Sequence, residues 1–174
     1  MGLTEDEVCL DPDRVIFPGG QRLAWDRIGQ ISQNDSVCFV VEGDDAEKIQ
    51  RFSEPFIRFY SLMPTSRAPT LLVSGISMHR IKGIDPHQDT LMKIRTIAPI
   101  AGRVLDVCTG LGYTAIEAAK TAEQVVTIEL DPAVLEVARL NPWSHELFKH
   151  PRIRQVIGDA FEEIASFEQE SFSR

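Results

Sequence analysis

VLDVCTGLGYTAIEAAK, residues 104–120, decides the fold. A buried-type run of aliphatic residues carries Asp106, a turn holds Gly110, Leu111 and Gly112, and an alanine-rich segment of high helix propensity follows. Strand, glycine turn and helix in that order leave a space at the strand's carboxyl end. Glycine admits positive φ and lets backbone approach a ligand with no Cβ in the way. The helix beyond it offers free N–H groups and the positive end of its dipole.

The same texture continues downstream. RVLDVC (103–108) and QVVTIEL (124–130) read as buried strands and RIRQVIGDA (152–160) as a third strand; YTAIEAAKTA (113–122), PAVLEVARLN (132–141) and FEEIASF (161–167) read as helices. Strands alternating with helices predict a parallel sheet with right-handed crossovers. Residues 101–174 are therefore expected to form an α/β, Rossmann-like parallel sheet.

Upstream the pattern is different. Residues 1–84 read as a β-rich region. RVIFPGGQRLAW (14–25) is a hairpin about Pro18-Gly19-Gly20, and SVCFVVEG (36–43) a third strand. Asp44-Asp45 is placed to cap a helix over 46–63, kinked at Pro55. Pro64 and Pro69 mark a loop, and 70–81 reads as two strands about Gly75 or one bulged there. Asp85-Pro86 opens a linking helix over 85–100, with Leu91, Ile94 and Ile97 at helical spacing and Pro99 at its end.

Composition narrows the class. The chain has 174 residues, 43% hydrophobic, enough for one compact domain with a small appendage. It has no apolar run of membrane-spanning length, and its acidic start, MGLTEDEVCLDPDR, is unlike a signal peptide. Cys9, Cys38 and Cys108 fit neither a metal spacing nor a disulfide framework, so a cytoplasmic, reducing setting is expected. A net charge of −8 argues against a nonspecific nucleic-acid binder. Yet residues 51–100 hold seven basic residues against three acidic ones: Arg51, Arg58, Arg67, Arg80, Lys82, Lys93 and Arg95. They form either a solvated surface or a face for an anionic substrate.

Ligands of a parallel sheet sit beyond the carboxyl ends of its strands. Asp106, the Gly110–Gly112 turn, Glu129 and Asp159 all fall at such ends. A carboxylate after the second strand can accept both hydroxyl protons of a ribose, and one after the third can accept from an exocyclic amine such as that of adenine.

This order, together with ELDP and GDA, resembles the class I S-adenosylmethionine-dependent methyltransferases. DVCTGLGYTA, with MHR and DPHQDT upstream, further resembles predicted archaeal methyltransferases related to the spermidine-synthase-like proteins. The likeness spans about 102–165, with Cys108 where the family's loop has its first glycine. It implies a methyltransferase fold and S-adenosyl-L-methionine as cofactor. The cofactor would be held by Asp106, Cys108, Thr109, Gly110, Leu111, Gly112 and Tyr113 in the first loop, by Glu129 and Leu130 after the second strand, and by Asp159 and Ala160 after the third. By the same resemblance Asp106 serves the amino end of the methionine moiety, and the methyl acceptor is left open among RNA, protein and small molecules.

Three rival readings stand beside it. Gly110 to Ala115 fits the dinucleotide fingerprint G-x-G-x-x-A, but a pyrophosphate against that turn would meet the carboxylate of Asp106, whereas an ammonium group would welcome it. Aminopropyl transfer, as in spermidine-synthase-like enzymes, goes with a loop of the form Gly-Gly-Gly-Asp-Gly; here the loop is Cys-Thr-Gly-Leu-Gly, without the acid. The last is a cofactor-binding or interaction module without catalysis.

Secondary candidates include His79 and Arg80, which could meet substrate or the cofactor's carboxylate. Cys108 near a helix N-terminus is a nucleophile only with a lowered pKa. Asp85, His87 and Asp89 resemble a metal cluster, but helix caps and first-turn acids explain them better, and no metal is expected. Trp143 and Phe148 read as lid or core. The methyltransferase fold places a fourth strand beside the first, and no such segment follows Asp159. The first strand should then have an open edge, which is an association liability. It would be met by further chain in a longer protein, by dimerisation through that edge, or by cover from the N-terminal region.

Overall fold

The structure, a computed structural model, describes residues 2–174. Its first layer is antiparallel. β1 (Cys9–Leu10), β2 (Arg14–Ile16) and β3 (Arg22–Ala24) form one small sheet, with the expected hairpin between β2 and β3. α1 (Trp25–Ser32) leads to β4 (Phe39–Glu42), which pairs with β5 (Asp45–Lys48). β6 (Gln50–Ser53), β7 (Arg58–Met63), β8 (Thr70–Val73) and β9 (Ile76–Ser77) make a four-stranded meander. The turn between β8 and β9 uses Ser74 and Gly75, both at positive φ, so the two-strand reading of 70–81 holds.

The helix expected over 46–63 is not there. Three strands, β5, β6 and β7, occupy that range. Phe52 faces Phe59 across β6 and β7, and Tyr60 and Leu62 are buried while Arg58 and Phe59 are exposed. The exposed Phe52–Phe59 cross-strand pair, together with the burial of Tyr60 and Leu62, outweighs the helical spacing that this stretch also permits. Pro55 marks the turn between two strands rather than a kink: Ile57 N–H returns to Glu54 C=O at 3.3 Å, with Ile57 itself at φ 50°.

α2 (Pro86–Thr96) begins as expected. Asp85 accepts from the amides of His87 at 2.9 Å and Gln88 at 3.2 Å, and Pro86 takes the first turn. The parallel sheet then follows as β10 (Arg103–Asp106), β11 (Gln124–Glu129) and β12 (Ile153–Ile157), in the order β10-β11-β12. Between them run α3 (Tyr113–Ala119), α4 (Pro132–Arg139), a short 3-10 turn over Pro142–Ser144 and α5 (His145–Lys149); α6 (Ala160–Ser166) comes last. Asp131 caps α4 and Asp159 caps α6, so both boundaries come from a side-chain oxygen ahead of the first turn.

One apolar core joins the two layers. Tyr60, Leu62 and Leu71 from the meander pack in the same cluster as Val104, Val125 and Val137 from the α/β layer. α4 is the wedge between them, in contact with β6 and β7 on one side and β11 on the other.

The free edge of β10 is covered, though not by the N-terminal region. Ser173 N–H donates to Arg103 C=O at 2.8 Å, and Leu105 N–H donates to Arg174 C=O at 2.9 Å. Residues 173–174 thus lie along β10 in the same direction as the strand. Phe172 packs edge-on against Phe167 and beneath the Arg103 guanidinium.

Candidate functional site

β10, β11 and β12 are neighbours and parallel, so their carboxyl ends form one rim that carries Asp106, Glu129 and, just beyond β12, Asp159. The register puts Asp106 opposite Thr127. Thr127 is fully buried, and its hydroxyl donates to Asp106 Oδ2 at 2.7 Å. Its oxygen lies 2.7 Å from the hydroxyl of Thr109, which must be the donor there because the Thr127 proton is already engaged. A relay therefore runs from the glycine loop through β11 to the end of β10. Burial pushes the Asp106 carboxyl up to about 6; the Thr127 bond opposes that rise and the negative charge of Glu129 adds to it.

Glu129 ties the loop down. Its Oε2 accepts from the Gly110 amide at 2.9 Å and its Oε1 from the Asp131 amide at 3.2 Å. A carboxylate has about four lone-pair sites, so both oxygens can still accept another hydrogen bond each. Gly110 and Gly112 sit at φ 53° and 75°, in the region that favours glycine. A Cβ on Gly112 would stand 2.7 Å from Leu147, and one on Gly110 would stand 2.7 Å from the sulfur of Met78. The loop is thus gripped between Met78 and Leu147.

The remaining expected residues divide. Thr109 and the two glycines belong to the loop, and Cys108, Leu130 and Asp159 are exposed beside the rim, with Ala160 half-buried behind Asp159. Asp159 Oδ1 accepts from the Phe161 amide at 2.8 Å as a helix cap. Leu111 and Tyr113 point into the core instead. Leu111 is 1% exposed and its carbonyl accepts from Ser144; the buried Tyr113 hydroxyl donates to Pro69 C=O and accepts from Asn141, both at 2.9 Å. Those two side chains hold the loop from below.

Cys108 is not activated as a nucleophile. Partial burial, with Glu129 and Asp106 nearby, raises its thiol rather than lowering it, so the nearby carboxylates outweigh any help from the helix terminus. His79 lies behind the loop. Its Nδ1 is 3.0 Å from Thr70 Oγ1 and its ring is 5.3 Å from that of Tyr113. Burial, with Lys93 adding to it, pushes the imidazole down to about 4, so it is neutral at pH 7; Arg80 beside it is exposed. The acids and histidine after Ile84 serve separate partners: Asp85 caps α2, Asp89 meets Lys93 at 2.7 Å, and His87 meets Glu117 at 3.3 Å.

Two contributors escaped the sequence reading. Thr127 could have been noticed, since a hydroxyl inside the buried run VVTIE needs a partner. Tyr60 gave no signal. Its hydroxyl donates to Asp131 Oδ2 at 2.8 Å, which fastens the antiparallel layer to the residue capping α4, and burial with that carboxylate raises its pKa to about 12. Tyr60→Phe is expected to cost about 1–3 kcal/mol, because the Asp131 oxygen is left buried with its bond unmade; urea denaturation measures it.

Comparisons with known proteins agree with the fold. No family model matches the chain. Two solved spermidine synthases, one from Thermotoga maritima and one in complex with the transition-state analogue AdoDATO, each match with a TM-score of 0.57 and 24% identity, covering 70% of this chain and 43% of theirs. The chain therefore has the α/β fold of the spermidine synthases, preceded by antiparallel strands. An uncharacterised protein of Methanocaldococcus jannaschii is 37% identical over 171 residues, which is 97% of this chain and 57% of the relative. The chain thus spans 57% of the length of the curated relative it matches.

Proposed function

We propose that the rim formed by Asp106, Glu129 and Asp159 binds S-adenosyl-L-methionine, and that the protein to which this rim belongs transfers its methyl group to a nucleophile. The observation that carries the reading is the bridge from Glu129 to the Gly110 amide, which puts a carboxylate against the glycine turn with Asp106 beside it. Two acids there suit the ammonium and ribose hydroxyls of an S-adenosyl compound and repel a pyrophosphate. The donor set fits the group: three carboxylates accept, and the loop glycines keep side chains away from its backbone. When bound, the sulfonium supplies an already activated methyl group, so the chain's task is to orient it and exclude water. In this reading Asp106 holds the ammonium, Glu129 the ribose and Asp159 the adenine amine.

Aminopropyl transfer is the second reading, favoured by the fold shared with the spermidine synthases. Against it, the loop position where such enzymes carry an aspartate holds Leu111, whose side chain is in the core. Calorimetry with S-adenosylmethionine, its decarboxylated form and NAD separates the readings. S-adenosylmethionine is expected to bind best; preference for the decarboxylated form would favour aminopropyl transfer, and equal or better binding of NAD would reject the site.

Binding should also depend on pH with a defined sign. A raised carboxyl pKa means that Asp106 takes up its proton early as the pH falls, and the neutral acid cannot hold an ammonium. Affinity is expected to be flat well above about 6 and to fall about tenfold per pH unit below it. A profile that stays level down to pH 5 would remove Asp106 from the ammonium's site.

A further inference from the structure

The basic segment 51–100 does not spread evenly over the surface. Arg51 is paired with Glu136 at 3.0 Å and Lys93 with Asp89 at 2.7 Å. Arg67, from the loop between β7 and β8, and Arg95, from the last turn of α2, instead line one cavity of about 400 Å³ together with His87, Gln88 and an apolar floor that includes Ile84 and Leu91. Among the described residues neither guanidinium has a carboxylate partner. The acids nearby are occupied: Glu117 is held by Lys120 at 2.7 Å and by His87 at 3.3 Å, and Asp89 by Lys93. The amides of the first turn of α2 are also taken, both by Asp85, so the cavity's positive character comes from side chains and not from a helix end.

An aromatic ring stands beside Arg67, next to the cavity's lining. The Trp143 ring has Arg67 5.6 Å from its centroid and the His87 ring 5.2 Å away. An indole flanked by a guanidinium, next to a second unpaired guanidinium, suits an anion carried by a flat or apolar group. Arginine's planar fork matches the oxygens of phosphate in particular.

We propose that the cleft between α2 and the loop bearing Arg67 is a phosphate-binding site, in which Arg67 and Arg95 hold the anion, Gln88 donates an amide N–H to it, and the group carrying the phosphate lies toward Trp143. This site is separate from the acidic rim and does not rest on the cofactor reading. The phosphate comes either on a small nucleotide or on a polynucleotide strand. It gives the basic middle of an acidic chain a specific task.

Trp25 and Trp143 are the chain's only tryptophans. In a Trp25→Phe background the fluorescence reports Trp143 alone, and calorimetry on the unmodified chain repeats the measurement without that change. Inorganic pyrophosphate, adenosine monophosphate and a single-stranded RNA decamer are titrated in turn, with sodium acetate as the anion control. A saturable response is expected with at least one phosphate probe and not with acetate. It should weaken about tenfold or more in Arg67→Ala/Arg95→Ala and return only in part in Arg67→Lys/Arg95→Lys, which keeps the charge but not the planar fork. Tighter binding of the decamer than of the monophosphate identifies a polynucleotide as the source; binding of the monophosphate as tight as the decamer identifies a nucleotide. No saturable response to any phosphate probe, or an unchanged response in the alanine variant with its circular dichroism intact, overturns the proposal.

Discussion

Replacing Glu129 with alanine is expected to weaken S-adenosylmethionine binding about 100-fold or more while leaving the chain folded. Glu129 accepts from the Gly110 amide at 2.9 Å, which fixes the loop, and in the proposed site the lone pairs left on both oxygens take a ribose. Hydrogen bonds to a charged group contribute about 1.5–3 kcal/mol each, so losing two costs about 3 kcal/mol or more, a fall in affinity of about 100-fold or more. Glu129→Gln keeps the shape and one acceptor oxygen and should lose about tenfold. Calorimetry measures both, and a thermal melt checks that the fold persists. An alanine variant that binds as well as the parent chain would exclude Glu129 from the site.

Gly112→Ala is the substitution expected to damage stability most. Gly112 has φ 75°, and any Cβ there would sit 2.7 Å from Leu147, whose side chain is 1% exposed. Two costs add: about 1–2 kcal/mol for a left-handed backbone with a Cβ, and about 1–3 kcal/mol for forcing a packed core apart. A loss of about 3 kcal/mol lowers the melting temperature of a chain this size by roughly 6–12 °C. The pairing of Gly112→Ala with Leu147→Ala is informative, since relief of the clash should recover part of the loss that strain alone would not. A Gly112→Ala variant that melts with the parent chain would contradict the packing described here.

The sheet was legible in the sequence because its central strand, β11, is buried on both faces. Runs such as QVVTIE have no other use, and Asp131-Pro132 announces the helix that follows with a cap and a first-turn proline. The acids at the rim were legible for the same reason: in such a run, a carboxylate at the carboxyl end stands out. The meander was less so. Residues 46–63 carry charged and aromatic residues at spacings that satisfy a helix as well as a strand, and only the partner of Phe52, seven residues on, decides between them. Tyr60 and Asp131 lie 71 positions apart, and neither sequence nor periodicity links them. Leu111 and Tyr113 were placed in the cofactor loop by position along the chain, and their side chains turn to the core because the loop's lower side packs on Pro69 and Ser144. The cover on β10 by residues 173–174 depends on the return of the chain's end to the sheet, which no local pattern encodes.

The proposed function rests on one acidic rim that grips an S-adenosyl compound. Crystals of the chain grown with S-adenosylhomocysteine test it most directly. The ribose hydroxyls are expected on Glu129, the ammonium within hydrogen-bond reach of Asp106, and the adenine amine toward Asp159. Density for the ligand anywhere else, or a bound ligand whose ribose leaves Glu129 with only the Gly110 and Asp131 amides, would rule the site out.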